Sequence, residues 1–354
     1  MMDEATVATL PAPNQPKLEA PDVDANALVR VEDLTIAFPD ERGERYLPIV
    51  QQVSFAVRRN EILGLVGESG SGKTQTSLAI LGLTRPPGRV LGGRVLIEGR
   101  DLYAMKEEER RQIRGRKVAM IFQSPRTSLN PLTSVGDQLV RVYVRHRGLS
   151  KRAAREEALA MLRKVGIAGP ERVIRAYPHQ LSGGMAQRVM IGMMVGCGPE
   201  LLIADEPTTG LDVTIQAQIF ELIQSVQADT GMSVLLITHD LGVVAETCHR
   251  VAVMQSGRLV ESAPVEELFA HPRHPYTIRL LAAMLRPDRP PVAASDRTAA
   301  PDELPIAANG LCYRAVSVDA WEAAKVGPPA MVAVAPDHLV LCHPADTDAT
   351  EGGA

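Results

Sequence analysis

The chain has 354 residues, with 38 Lys and Arg set against 42 Asp and Glu for a net charge of −4. That length holds one large α/β domain plus a small appendage, and the mildly acidic balance gives no global electrostatic ground for a nucleic-acid partner. Four cysteines (Cys197, Cys248, Cys312 and Cys342) are too few and too scattered for a disulfide scaffold and fit a reducing cytoplasm. No apolar run reaches the ~18 residues of a membrane helix, so a membrane role would have to come through another chain.

Residues 1–27 are acidic, rich in Pro and Ala, and lack the apolar core of a signal peptide; they read as a disordered lead. Val29 to Phe38 alternates like a half-buried strand and breaks at Pro39-Asp40-Glu41-Arg42-Gly43. A second strand is expected over Val50 to Val57, followed by a turn at Arg59-Asn60. Glu61 to Val66 then has the length and apolarity of a buried strand, and Gln75 to Leu81 is helix-like.

Between these two segments lies Gly67-Glu68-Ser69-Gly70-Ser71-Gly72-Lys73-Thr74, a phosphate-loop pattern in its required strand–loop–helix context. The glycines let successive backbone N–H groups curl around an anion, and the helix that follows adds the positive end of its dipole. In this pattern Lys73 reaches the β- and γ-phosphates and the Thr74 hydroxyl ligates Mg²⁺. A plain Gly/Ser linker would lack those flanks.

Further strands are expected over Gly92 to Gly99 and Lys117 to Phe122, around a short helix from Glu107 to Arg114. The basic residues Arg110, Arg111, Arg114, Arg116 and Lys117 follow Glu107-Glu108-Glu109 and read as a solvated helix face. From about 125 to 180 the pattern turns helical, with Ala158, Leu162 and Val165 on one face of a segment that begins at Lys151. This looks like a helical insertion in an α/β core. It ends at Tyr177-Pro178-His179-Gln180-Leu181-Ser182-Gly183-Gly184-Met185, which opens a methionine-rich helix to about Val195.

Leu201 to Ala204 is an apolar strand that finishes in Asp205-Glu206-Pro207. An Asp at such a strand end beside a phosphate loop holds Mg²⁺, and the adjacent Glu206 can polarise an attacking water. A helix from Val213 to Ala228 and a strand from Ser233 to Thr238 follow, ending at His239-Asp240. His239 would then sit on the carboxyl edge of the sheet, where open α/β sheets bind ligands. From the residues alone, Phe38 reads as core filler.

These residues resemble the ATP-binding-cassette family, and more narrowly the ATPase subunits of dipeptide, oligopeptide and nickel importers. The resemblance covers about residues 29 to 285. Besides the phosphate loop it rests on Gln123 as the Q-loop glutamine, on Leu181 to Met185 as the signature motif and on Asp205-Glu206 as Walker B with its catalytic glutamate. Leu211-Asp212 stands as the D-loop and His239 as the switch histidine. The stretches Met120 to Pro125, Ser128 to Pro131 and His274-Pro275-Tyr276-Thr277 resemble the peptide and nickel branch.

The resemblance implies a P-loop cassette fold: a mixed-sheet core, an antiparallel β subdomain, an inserted helical subdomain and a small C-terminal extension. It implies ATP and Mg²⁺, with ATP held by Phe38, Gly67, Glu68, Ser69, Gly70, Ser71, Gly72, Lys73, Thr74 and Gln75, and with Thr74, Gln123 and Asp205 at the metal. Phe38 becomes the adenine-stacking residue, while Glu206, His239 and Gln123 become catalytic. Two cassettes would meet head to tail, so that Ser182, Gly183 and Gly184 grip the partner's nucleotide, with Asp212 as the D-loop residue. Implied partners are a second cassette, sibling or identical, two membrane-spanning permease subunits and an extracytoplasmic solute-binding protein, with no nucleic acid. The implied place is peripheral, on the cytoplasmic face of the inner membrane. A soluble cassette ATPase of DNA repair or translation is the alternative of another class, and a GTPase would need an N-K-x-D element that does not occur.

The expected organisation is a cassette at 28–285, a linker at 286–310, a C-terminal extension at 311–345 and a disordered tail at 346–354. Importers of this branch often end in a four-cysteine iron–sulfur segment. Here Cys312 and the stretch His338 to His343 with Cys342 resemble its two ends, but the two middle cysteines are absent, and Val318, Asp319 and Trp321 lie in the intervening stretch instead. A cluster held by cysteine alone needs four, so none is expected. Zinc on Cys312, Cys342, His338 and His343 is conceivable by ligand type but not the favoured reading.

Overall fold

The computed structural model describes residues 26–284, 303–308, 311–318 and 329–344. The lead at 1–25, most of the 286–310 segment, Asp319, Trp321 and the tail at 346–354 lie outside the described residues, as does the Cys312 side chain.

Strands β1 (Ala27–Pro39) and β2 (Tyr46–Arg58) pair antiparallel from end to end. The second strand starts earlier than its sequence suggests and runs through Pro48. It is an edge strand of its sheet, where a proline's missing N–H leaves no ladder bond unmade. After β3 (Ile62–Val66) and α1 (Lys73–Ile80) come β4 (Arg89–Ile97), β5 (Arg100–Asp101), α2 (Glu107–Ile113) and β6 (Val118–Ile121). The order β2-β1-β4-β5 makes a separate four-stranded antiparallel arm.

In the basic run at the end of α2, Arg111 and Arg116 are exposed as expected, but Arg110 and Arg114 depart from a solvated face. The guanidinium of Arg110 donates to the Leu102 and Tyr103 carbonyls at 2.9 Å, and Arg114 donates to those of Leu81 and Gly82 at 2.8 and 3.0 Å. These side chains fix the end of α1 and the turn before α2 by satisfying carbonyls that those turns leave without intrahelical partners.

The insertion comprises α3 (Pro125–Ser128), α4 (Val135–Arg147), α5 (Lys151–Lys164) and α6 (Pro170–Val173), and α7 (Gly183–Val195) follows it. Ser134 and Ser150 cap α4 and α5 by accepting from the amides of Asp137 and Ala153, and Gly148 closes α4 in a left-handed conformation at φ 68°. Ala154, Ala158 and Leu162 are the buried stripe of α5.

The remaining elements are β7 (Leu201–Asp205), α8 (Val213–Thr230), β8 (Ser233–Ile237), α9 (Leu241–Thr247), β9 (Arg250–Gln255), β10 (Arg258–Pro264), α10 (Val265–Ala270) and α11 (Pro275–Met284). In the central sheet β9-β3-β8-β7-β6 are parallel. Strands β6, β7 and β8 alternate between two cores, and β9 alternates between the second of these and a third. Ile121, Leu202, Ala204, Val234 and Leu236 face the insertion, α7 and α8, whereas Met120, Leu201, Ile203, Leu235 and Ile237 face α1 and the arm.

The chain's last strands depart from the expected linker and appendage. Residues 303–308, placed in the linker by composition, form β11 (Glu303–Ala308), which pairs with β12 (Leu311–Val316). With β13 (Ala330–Ala335) and β14 (His338–Pro344) they extend the central sheet, because β14 adds antiparallel to β10 through Glu261↔Val340 and Ser262↔Leu339. The order of the strands after the parallel core is β9-β10-β14-β12-β11. The zinc alternative meets a geometric obstacle there. Cys342 and His343 are neighbours on one strand and point to opposite faces, and His338 is bonded to Glu261 at 2.7 Å. Among the described residues no three His, Cys, Asp or Glu side chains converge as a metal site.

Candidate nucleotide site

The loop Gly67–Gly72 joins β3 to α1 with backbone that glycine alone tolerates at its tightest points. Gly67 has φ 148°, and a Cβ there would lie 2.1 Å from the Met254 carbonyl oxygen; at Gly72, φ 97°, it would lie 2.9 Å from the Ile49 oxygen. Lys73 folds back over the loop, its Nζ donating to the carbonyls of Gly67 and Glu68 at 2.8 Å and to Ser71 Oγ at 3.2 Å. Burial lowers the Lys73 ammonium pKa, and the Glu206, Asp205 and Glu68 carboxylates offset part of that effect. Glu68, Ser69 and Gly70 are exposed, so the loop presents an open rim. In the helix behind it, the Gln75 Oε1 is a buried acceptor without a hydrogen-bond partner.

Strand β7 delivers Asp205 and Glu206 to this edge. Thr74 Oγ1 donates to Asp205 Oδ1 at 3.3 Å, which sets two hard oxygen donors side by side. Burial pushes the Asp205 carboxyl above the usual carboxylate range, and the Thr74 hydroxyl and Lys73 reverse only part of the shift. A cation bound there would relieve that burial cost, and the donor set suits Mg²⁺. Gln123 is engaged elsewhere: its Nε2 donates to Glu206 Oε2 at 2.8 Å. A cation would take the other end of that amide, the carbonyl oxygen.

Glu206 is the hub of the site. Its Oε2 also accepts from Thr209 Oγ1 at 2.9 Å, and its Oε1 lies 3.4 Å from His239 Nδ1. Burial raises the carboxyl, but Thr209, His239 and Gln123 outweigh it and leave Glu206 below the usual carboxylate range. The backbone at Glu206 is left-handed at φ 45°, a strained conformation of the kind held at functional positions. Three residues far apart in sequence, Gln123, Glu206 and His239, are thus brought together. Thr209 joins them unannounced. The signal for it was its place three residues after the carboxylate in a tight turn, where a hydroxyl can reach back.

Other candidates are placed apart from this cluster. Ser182 is exposed and caps α7, accepting from Met185 N at 3.3 Å. A Cβ on Gly183 would meet Leu211 at 3.1 Å and one on Gly184 would meet Ile215 at 2.9 Å, so the D-loop segment packs on the signature glycines of its own chain. Asp212 caps α8 through Ile215 N at 3.0 Å. Gln123, Ser182, Gly184 and Asp212 line a cavity of about 790 Å³. Among the described residues no hydrogen bond joins Ser182, Gly183 or Gly184 to the phosphate loop. Phe38 sits opposite Leu47 with the tip of its ring on Gly88, where a Cβ would lie 2.4 Å from Cζ. Beside it the Arg89 guanidinium stands 5.0 Å over the Tyr46 ring.

The sequence matches the ABC transporter family over residues 50–209 and the C-terminal region of oligopeptide/dipeptide transporters over residues 260–312. The dipeptide transport ATP-binding protein DppD of Escherichia coli (strain K12) is 49% identical over 258 residues, covering 73% of this chain and 78% of the relative. The oligopeptide transport ATP-binding protein OppD of Bacillus subtilis (strain 168) is 50% identical over 73% of this chain and 72% of the relative. Among solved structures, a dimeric post-hydrolysis state of the ATP-binding cassette MJ0796 bound to ADP and Pi superposes with a TM-score of 0.60 at 26% identity, covering 67% of this chain and 98% of that one.

Proposed function

The chain belongs to the ATP-binding-cassette transporter family, and from that premise we propose that it is the ATP-hydrolysing subunit that powers import of di- or oligopeptides. The observation that carries the catalytic part is the grip of Gln123, Thr209 and His239 on Glu206, beside the Thr74–Asp205 oxygen pair. The peptide assignment rests on kinship with the dipeptide and oligopeptide relatives.

Lys73 and the loop amides would bind the phosphates, and Thr74 and Asp205 would hold Mg²⁺, with Gln123 joining through its carbonyl oxygen; such an ion would supply neutralisation of phosphate charge. Glu206, kept ionised by its donors, orients and polarises the attacking water, and His239 stands beside it to contact the terminal phosphate. Ser182 is exposed and the start of α7 is half-buried, without a hydrogen bond to the chain's own loop among the described residues, which suits a half-site that a second cassette completes. Amide donors at that helix start favour an anion. Nickel is the alternative cargo of the same branch.

No helix among the described residues is long and apolar enough to cross a membrane. The proposed setting rests on the kinship with transport ATP-binding proteins: peripheral, on the cytoplasmic face of the inner membrane, against two permease subunits and a second cassette, with a solute-binding protein outside. Co-expression with candidate permease chains from neighbouring reading frames, detergent purification and reconstitution in liposomes test this. The expected result is co-purification and ATP-dependent peptide uptake; recovery only with ribosomes or DNA would overturn the transport reading.

A further inference from the structure

We infer that Tyr276 is a positioning residue for the phosphate loop, itself set in place by the docked C-terminal strands. Its relevance to nucleotide binding rests on the function proposed above; its effect on the loop does not.

The peptide unit between Gly67 and Glu68 is held at both ends. Its carbonyl accepts from Lys73 Nζ at 2.8 Å, and its N–H donates to the Tyr276 phenol oxygen at 3.0 Å. A peptide plane clamped at its oxygen and its nitrogen cannot rotate, so the turn that aims the following amides is fixed before any anion arrives. Tyr276 is 4% exposed and packs among Leu241, Val244, Val251 and Leu268, so its ring is held by packing and its hydroxyl is delivered to one place.

From Tyr276 a buried chain of hydrogen bonds leads to the last strand. The Tyr276 amide donates to His274 Nδ1 at 3.2 Å. Burial holds the His274 imidazole down to about 4, so the ring is neutral near pH 7 and has a lone pair to accept with. The Arg273 and His274 amides donate to the two oxygens of Glu261 at 2.8 and 3.0 Å. His338 Nε2 lies 2.7 Å from Glu261 Oε1. Glu261, His274 and His338 are each 0% exposed. A carboxylate this deep requires its full set of donors. His338, on β14, supplies one of them, and the Glu261 carboxylate in turn fixes the residues that start α11 and carry Tyr276. The start of α11 thus couples the strand pairing β10–β14 to the loop at the carboxyl end of β3, level with Val66 through Val253.

The test uses the full chain. Tyr276→Phe keeps the ring and deletes the one hydroxyl, and is expected to weaken binding of a fluorescent ATP analogue about fivefold to tenfold, the range for one lost hydrogen bond. It should also speed amide exchange of Glu68 to Ser71, measured without nucleotide, while the amides of α4 keep their wild-type rate. His338→Gln should produce the same two changes more weakly, and the double variant should fall short of the sum because both act through one chain of contacts. Wild-type loop exchange in Tyr276→Phe would overturn the positioning role, whatever the protein binds. Wild-type loop exchange in His338→Gln, or strict additivity, would overturn the link to the C-terminal strands. Absence of nucleotide binding in the unsubstituted chain would instead refute the ATPase reading, with the exchange result still deciding this one.

Discussion

Substituting Gly67 by Ala is the sharpest probe of how the loop is built. The added Cβ would lie 2.1 Å from the Met254 carbonyl oxygen, and Met254 is a fully buried residue of β9. That carbonyl cannot retreat freely, since β9 is paired with β3 at Val66↔Val253 and Leu65↔Ala252. The contact must open by at least about 1.3 Å to reach ordinary separation, so the loop has to move. The backbone strain of φ 148° at an alanine adds ~1–3 kcal/mol, and overpacking costs a further ~1–3 kcal/mol. Gly70 is the control, because its φ of 82° imposes the strain while nothing lies within 4 Å of its Cβ position; Gly70→Ala should cost only ~1–2 kcal/mol. Thermal unfolding followed by circular dichroism should therefore place Gly67→Ala well below Gly70→Ala. Titration with a fluorescent ATP analogue should show roughly a 100-fold loss of affinity in Gly67→Ala, the penalty expected when a binding group is displaced by about 1 Å. Equal stability of the two variants would refute the steric argument.

Glu206→Gln should retain nucleotide binding and lose about 10²–10⁴-fold in turnover, as expected for loss of a general base; hydrolysis near the wild-type rate removes Glu206 from that role. Thr209→Val deletes the hydroxyl that lowers the Glu206 carboxyl. Its pKa rises, so the acid limb of the turnover–pH profile should move to higher pH, and a limb that stays put would count against the hub. His274, held down to about 4 from an ordinary 6.5, makes stability fall between those values. The unfolded chain takes up a proton that the buried ring refuses, and the loss is roughly 3 kcal/mol when complete. Above pH 6.5 this contribution is fully present. His274→Asn should flatten that slope in urea unfolding measured from pH 7 to 4.5, without abolishing it because His146 is also lowered by burial; an unchanged slope would contradict the assignment.

The phosphate loop and its flanking strand and helix were legible because their chemistry is local: glycines, a lysine and a hydroxyl at fixed spacing between one buried strand and one helix. The strand ending in Asp205-Glu206 and the one before His239 were legible for a related reason. In a parallel sheet every strand presents its carboxyl end to the same edge, so the spacing of apolar runs already predicts which polar residues meet. The helical insertion showed itself by period. What misled was composition. The Pro, Ala and Asp richness of the stretch from Pro287 to Ala308 made it look like linker, yet a proline such as Pro305 is tolerated in a strand at the edge of a sheet, and being an edge is a property of topology. The arginines of α2 looked solvated because the carbonyls they satisfy belong to turns that the sequence does not mark.

By itself the sequence determined the order of the motifs, the strand–loop–helix of the phosphate-loop pattern and the carboxylates at the neighbouring strand end, since each depends on residues within a few positions of one another. Only the tertiary structure decided that Thr209 would complete the hold on Glu206, that the D-loop would lie on the signature glycines, and that Tyr276 would take the Glu68 amide from 208 residues away. Those contacts depend on side chains meeting across packed elements, and no local pattern encodes the partner at the far end.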